Sequence, residues 1–450
     1  MSTKAFQDLK TIFNAGLKKV DPFGMIIQQV SLDGDILSIT ARGGKSSYDL
    51  NKYSRIFVLG AGKATAKMAL GIEEVLGSRI TEGCISVKYG HTEDLKQIRM
   101  IEAGHPVPDE NSRLGAEEIV KLAEKGDDKT LYIILISGGG SALLSLPGSG
   151  GLTLEDKQET TKLLLSCGAS IQEINGIRKH LSGIKGGRFA QYCPQSDVIT
   201  LILSDVIGDR LDTIASGLTV PDETTFSDAL TILEKYKLKE KVPEKVLEHI
   251  TRGNSGGIPE TPEKDDPVFV HVENILIGTN LGALSAAEAE AKALGYNTAV
   301  LSSQITGEAR EIAKFYYGIG RDIKDRELFL KKPACVLAGG ETTVTLLGSG
   351  KGGRNQEMAL AFLLSIQEDP EGSEGIYFLS GATDGNDGPT DAAGGFACTE
   401  ILSLGRKSGM DPLKYLQASD SYSYLSACEG LFVTGPTNTN VCDLQIMLVL

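Results

Sequence analysis

Short apolar, β-rich runs punctuate this chain from end to end, and most are followed by a helical stripe. RIFVLG, CISVKYG, LYIILIS and DVITLILSD come first; VENILIG, NTAVLSS, ACVLAGG, GIYFLSG and LQIMLVL follow. Behind RIFVLG, Met68, Ile72, Val75 and Leu76 recur at the spacing of one helix face. Ala116, Ile119, Val120 and Ala123 repeat that stripe, as do Leu284, Ala287, Ala291 and Leu294. Strands apolar on both faces, alternating with helices, call for sheets covered on each side. The pattern therefore predicts an α/β protein with two three-layer α/β/α domains and mostly parallel sheets, the N-terminal one Rossmann-like. The opening MSTKAFQDLKTIFNAGLKKV reads as an amphipathic helix. A stretch rich in Gly, Pro and charge sets the expected boundaries: an N-terminal domain over 1–252, a linker over 253–267 and a C-terminal domain over 268–450.

Composition narrows the function classes. At 450 residues the chain exceeds one ordinary core. Its net charge of −14, from 45 Lys+Arg against 59 Asp+Glu, argues against nucleic acid or anionic membrane as a partner. A small basic pocket for an anion remains compatible with that balance. Seven cysteines stand singly, without a Cys-x-x-Cys pair, which reads as reduced thiols without structural zinc. With no signal-peptide pattern and no apolar run of membrane length, the expectation is a cytoplasmic protein.

Candidate chemistry collects behind the strands. GGKSS at Gly43 lacks the first glycine of a P-loop and reads as a hairpin turn. GAGKATA, with Gly60 and Gly62, opens a helix after a strand, but Thr65 occupies the third glycine position of a dinucleotide fingerprint. Lys63 directly after that turn is either an anion contact or an exposed lysine on a first helical turn. SGGGS, from Ser137 through Gly138, Gly139 and Gly140 to Ser141, lies outside the Gly-x-Ser-x-Gly frame of a nucleophile. Capture of an anion by its amides is the better reading, against a plain strand–helix turn. INGIRKHLSGIKGGRFA places Ile174, Ile177, Leu181 and Ile184 on one helix face, flanked by Arg178 and Lys185. Asp205 ends the strand DVITLIL, where ligands of open α/β sheets sit. Farther on, glycine-rich strand ends carry Glu341, Arg354, Asn355, Asp384, Asp387 and Asn440. Carboxylates there suit Mg²⁺, which takes few hard oxygen ligands and completes its shell with substrate phosphate; surface Asx-turns are the alternative.

Together, VLGAGKA, GHPVPDENS, LISGGGSALL, IRKHLSGIKGGRFA, LSDVIGD, GGETTVT, GKGGRNQE, GATDGNDGPTDAAG and GPTNTNVCDL resemble the glycerate 2-kinases whose C-terminal part is the MOFRL domain. The resemblance spans nearly the whole chain. It implies phosphorylation of D-glycerate to 2-phosphoglycerate with ATP and Mg²⁺ (or another divalent metal), in an active-site cleft between the domains. The family's catalytic lysine and arginine fall on Lys63 and Arg354, and its acidic positions on Asp205 and Glu341. In this reading Asp205 orients or deprotonates the 2-hydroxyl, and Glu341 with Asp384 and Asp387 binds the metal or fixes Arg354. Substrate or nucleotide contacts are expected at Gly60, Gly62, Ser137 to Ser141, Arg178, Lys185, Glu341, Asn355 and Asn440. The enzyme is expected as a monomer or homodimer with no partner beyond its small molecules. Two alternatives remain at this point: an NAD(P)H-dependent hydroxypyruvate reductase, and a non-catalytic protein that binds small anions.

Overall fold

All nine apolar runs become strands. The computed structural model describes residues 4–41 and 43–450. The chain forms two units, Pro22–Ile277 and a discontinuous one that joins the residues before Pro22 to Gly278–Leu450.

The first unit begins with a small antiparallel sheet of β1 (Val30–Asp33), β2 (Ile36–Ala41) and β3 (Gly44–Asp49). Ala41 pairs with Gly44, so GGKSS does turn a hairpin. The main sheet holds β4 (Arg55–Ala61), β5 (Glu82–Lys88), β6 (Ile98–Ala103), β7 (Thr130–Ile136), β8 (Asp197–Leu203) and β9 (Val272–Gly278). Its order is β6-β5-β4-β7-β8-β9, with β6 through β8 paired parallel. The chain steps outward from β4 to β6, then restarts at β7 on the other side of β4. The gap beyond the carboxyl ends of β4 and β7 is therefore a topological switch point, where such sheets bind ligands. Every residue of β7 is buried, which explains its unbroken apolar run. The edge strand β6 escaped the sequence reading because it is half-exposed and broken by Arg99 and Glu102.

The second unit holds β10 (Asn297–Val300), β11 (Ala334–Gly340), β12 (Ile376–Ala382), β13 (Gly394–Ala397), β14 (Leu431–Phe432) and β15 (Asp443–Val449), in the order β10-β11-β15-β12-β13-β14. Here the expectation of a mostly parallel sheet is corrected. Only β10 and β11 pair parallel; β15 runs antiparallel to both β11 and β12, and β13 and β14 continue antiparallel. β11 and β15 are buried along their whole length. Burial on both faces produces a continuous apolar run whichever way a strand points, so the pattern carried no direction.

The expected boundaries shift as well. Helix Lys4–Lys19 belongs to the second unit, packed on helix Asn280–Ala293. A Cβ at Gly16 would lie 3.1 Å from the Ala283 carbonyl oxygen. The Tyr296 hydroxyl donates to Asp8 at 2.6 Å, and Phe13 packs edge-on against Phe432. The stretch 253–267 is no free linker but part of the first unit. The Glu260 carboxylate accepts the Phe226 N–H and faces His180 Nε2 at 3.1 Å, and the Thr261 hydroxyl donates to buried Asp222.

Candidate active site

The switch point of the first unit gathers cations. Lys63 follows β4, Lys88 ends β5, His91 lies just beyond, and His105 follows β6. His91 Nδ1 lies 3.1 Å from the Lys63 carbonyl oxygen. Half-buried His105 has its pKa pushed down to about 4 by burial, with Lys63 and Lys88 adding repulsion. Burial likewise lowers the pKa of His91. His105 and His91 were missed as site residues, although the block GHPVPDENS contained the first; a histidine on its own carries no spacing signal.

The Ser137–Ser141 turn follows β7 at the same sheet edge. Gly139 has φ of +83°, and a Cβ there would stand 2.8 Å from the His105 ring and 3.4 Å from Lys63 Cγ. A Cβ on Gly138 would lie 2.1 Å from an Asp205 carboxylate oxygen. Glycine thus lets the turn lie between the cations and the acid. The N–H groups of Gly138 and Gly139 make no hydrogen bond among the described residues. Ala215 and Ser216 both adopt positive φ, and the Ser216 hydroxyl lies 2.9 Å from that of Ser141. Such strain in non-glycine residues clusters where geometry is tightly specified.

Several expected contacts prove to be internal. The Ser137 hydroxyl accepts the Ala64 N–H at 3.0 Å and meets Thr65 Oγ1 at 3.1 Å, so it serves the start of helix Thr65–Leu76. Gly60 and Gly62 provide room rather than ligand contact, since a Cβ on either would strike Leu135 or Ser137. The helix expected after Gly140 is a single turn, Gly140–Leu143. Lys185 donates to the Ser141 carbonyl and hydroxyl at 2.6 and 2.7 Å. The helix that carries Arg178 ends at His180, so Leu181 and Ile184 are buried beyond it rather than on its face.

The second unit contains a cavity of about 590 Å³, lined among others by Glu341, Arg354, Glu357, Asp384, Asp387 and Asn440. Arg354 grips Asp443 with two N–H···O bonds of 2.6 and 2.9 Å and donates to Glu341 at 2.6 Å. Burial opposes the arginine's charge, but Asp443 and Glu341 more than offset it and raise its pKa. Asp443 is wholly buried, which pushes its carboxyl up to about 6 against the pull of Arg354. Asp443 was missed because it reads as the first residue of a strand.

Asp387 is corrected as a metal ligand. Its carboxylate accepts the backbone N–H groups of Asn355 and Gln356 and both their side-chain amides, at 2.8 to 3.3 Å. It therefore caps helix Arg354–Glu368 with its acceptor sites filled. Asn355 is fully buried between Asp387 and Ser380, which removes it from the ligand contacts. Asp384 closes an Asx-turn on the Asn386 N–H, and Asn440 accepts the Cys442 N–H. Among the described residues no trio of His, Cys, Asp or Glu is arranged to hold a metal unaided. Asp384 and Glu341 remain as two hard carboxylates on one cavity, a set that fits Mg²⁺ completed by water and phosphate.

Residues 8–251 match the family described as Domain of unknown function (DUF4147), and residues 334–443 match the MOFRL family. The chain is 41% identical over 434 residues to the glycerate 2-kinase of Pyrococcus horikoshii, across 96% of this chain and 94% of the relative. It is 42% identical over 398 residues to the D-glycerate 2-kinase of Thermotoga maritima, across 88% and 91%. The solved structure of a glycerate kinase from Thermotoga maritima superposes with a TM-score of 0.87 at 38% identity, covering 100% of each chain. No helix among the described residues is long and apolar enough to cross a membrane.

Proposed function

The chain belongs to the glycerate 2-kinase family, and we propose on that premise that its two groups of polar side chains serve ATP-dependent phosphorylation of D-glycerate at the 2-hydroxyl, releasing ADP. The observation that carries this reading is the meeting of Lys63, His105, the glycine turn and Asp205 at one switch point. Phosphoryl transfer asks for positioning and charge neutralisation more than for covalent chemistry.

Lys63 supplies positive charge beside the glycine turn. His105, neutral near pH 7, offers a ring nitrogen there without adding charge. Asp205 lies against Gly138 and takes the role of orienting the acceptor hydroxyl and receiving its proton. Arg354 is a different cation from the one the motif suggested. With Asp443 and Glu341 already bound, it is not a free charge; Asp443 fixes its plane, and its remaining N–H groups are left for a substrate oxygen. Mg²⁺, held by Glu341 and Asp384, would neutralise phosphate charge when bound.

The test follows ADP release with D-glycerate and Mg-ATP, beside oxidation of NADH or NADPH with hydroxypyruvate. Turnover in the first alone is expected. Activity only in the second means a reductase, and binding without turnover in either means an anion-binding protein. Enolase added without phosphoglycerate mutase checks the product, because only 2-phosphoglycerate is then consumed.

A further inference from the structure

The first unit contains a second group of cations that its chemistry so far leaves unused. Lys157, on helix Leu154–Ser166, is 7% exposed and donates to the Leu146 carbonyl at 3.0 Å. Lys185, 3% exposed, holds the Ser141 carbonyl and hydroxyl. Arg178, on helix Ile171–His180, reaches only the Thr161 hydroxyl, at 3.5 Å. Three elements thus bring three cations to the segment Ser141–Leu146, and every partner they have is a neutral oxygen.

That arrangement contrasts with the other buried cations. Lys179 meets the carboxylate of Asp222 at 3.0 Å, and Arg354 meets two carboxylates. Burying charge without a counter-charge is costly. The strain registers in the lysines themselves. Burial and the charge of Arg178 lower the pKa of Lys157 to about 7, and burial with repulsion from Lys157 and Arg178 lowers that of Lys185 well below normal. The group is incomplete without an anion.

We propose that Lys157, Arg178 and Lys185 form a seat for the polyphosphate of the nucleotide, reached across the Gly138–Ser141 turn from Lys63. The proposal rests on the kinase reading above and assigns one of its two substrates. The turn decides between them. Its Gly139 touches His105 and Lys63, while its Ser141 is bonded to Lys185, so cations stand at both ends of one short segment. Glycerate brings a single carboxylate, whereas a triphosphate brings several charges in a row. The seat is also a poor match for a single negative charge, because three cations surround it.

Inorganic tripolyphosphate is the probe, measured by calorimetric titration and by thermal shift on the intact chain, wild type against Lys157→Met and Arg178→Met. The Leu146 carbonyl keeps the Ser182 hydroxyl and the Gly183 N–H as donors, so Lys157→Met orphans no acceptor. Each variant, relieved of a buried charge, is expected to melt no lower than wild type without ligand. Tripolyphosphate should bind wild type and raise its melting temperature, and each variant should bind it at least about tenfold more weakly. In turnover, KM for ATP should rise by a similar factor while KM for glycerate changes less than about twofold. A rise confined to KM for glycerate makes the seat a carboxylate site and overturns the proposal. Equal tripolyphosphate binding by all three proteins overturns it too, with the kinase reading intact if wild type still turns over. Cation-dependent tripolyphosphate binding without any kinase turnover would instead sink the kinase reading and leave the seat standing.

Discussion

Lys63 and Arg354 are cations of different kinds, and their substitutions should separate. Lys63→Ala removes a charge from a partly open site, so kcat should fall by about two orders of magnitude or more with little change in unfolding by urea. Near-normal turnover would end its catalytic assignment. Arg354→Ala also strands Asp443, which is wholly buried, and should cost about 3–5 kcal/mol of stability besides activity. An unfolding midpoint unchanged from wild type would show that Asp443 does not depend on that pair. His105 gives a pH signature. Its pKa falls from 6.5 to about 4 in the folded chain, so the folded state resists protonation where the unfolded chain accepts it. Its contribution to stability is full above about pH 6.5 and is lost as pH falls towards 4. Ring resonances of His105 that titrate above pH 6 would contradict this. At this scale the sequence was legible where a motif carried chemistry, as at Lys63 and Arg354. It was silent at His105, His91 and Asp443, whose roles arise from neighbours distant along the chain.

Among elements, the loop that holds Asp387 shows how the same residue type changes meaning. A carboxylate in DGNDGPTD reads as a metal ligand until the helix it caps is in view. Asp387→Ala should therefore destabilise the chain by about 2 kcal/mol, through loss of a cap and of partners for buried amides, with the apparent affinity for Mg²⁺ little changed. A large loss of Mg²⁺ affinity at unaltered stability would restore the ligand role. The turn after β7 is the opposite case, since glycine there makes space. Gly138→Ala would force a methyl group into Asp205, and kcat should fall at least about tenfold while the fold survives. Strand positions were readable because burial writes itself as apolar runs. Direction was not readable in β15, because antiparallel and parallel strands buried on both faces look alike.

For the whole molecule, the boundary was the least legible feature. The amphipathic stripe of helix Lys4–Lys19 announces a buried face but not which core buries it. Gly and Pro around residue 256 suggested a linker, yet Glu260 and Thr261 tie that stretch into the first unit. Removing residues 1–19 should accordingly destabilise the second unit, by uncovering Leu444 and Phe432, and leave the first unit intact. Amide exchange that accelerates in both units equally would refute that division.

The placement of β15 has a consequence for synthesis. Its residues, Asp443–Val449, form the middle of the second sheet and carry the carboxylate that orients Arg354. A chain growing from the ribosome completes Pro22–Ile277 early, while helix Lys4–Lys19 waits for a partner more than two hundred residues behind it. Pairings of such sequence separation close slowly. The second unit cannot assemble until residue 449 has been made, so an interrupted product carries a finished first unit and no oriented Arg354. Competence is thereby withheld from every incomplete chain, and the waiting apolar helix marks such chains for chaperones and proteases.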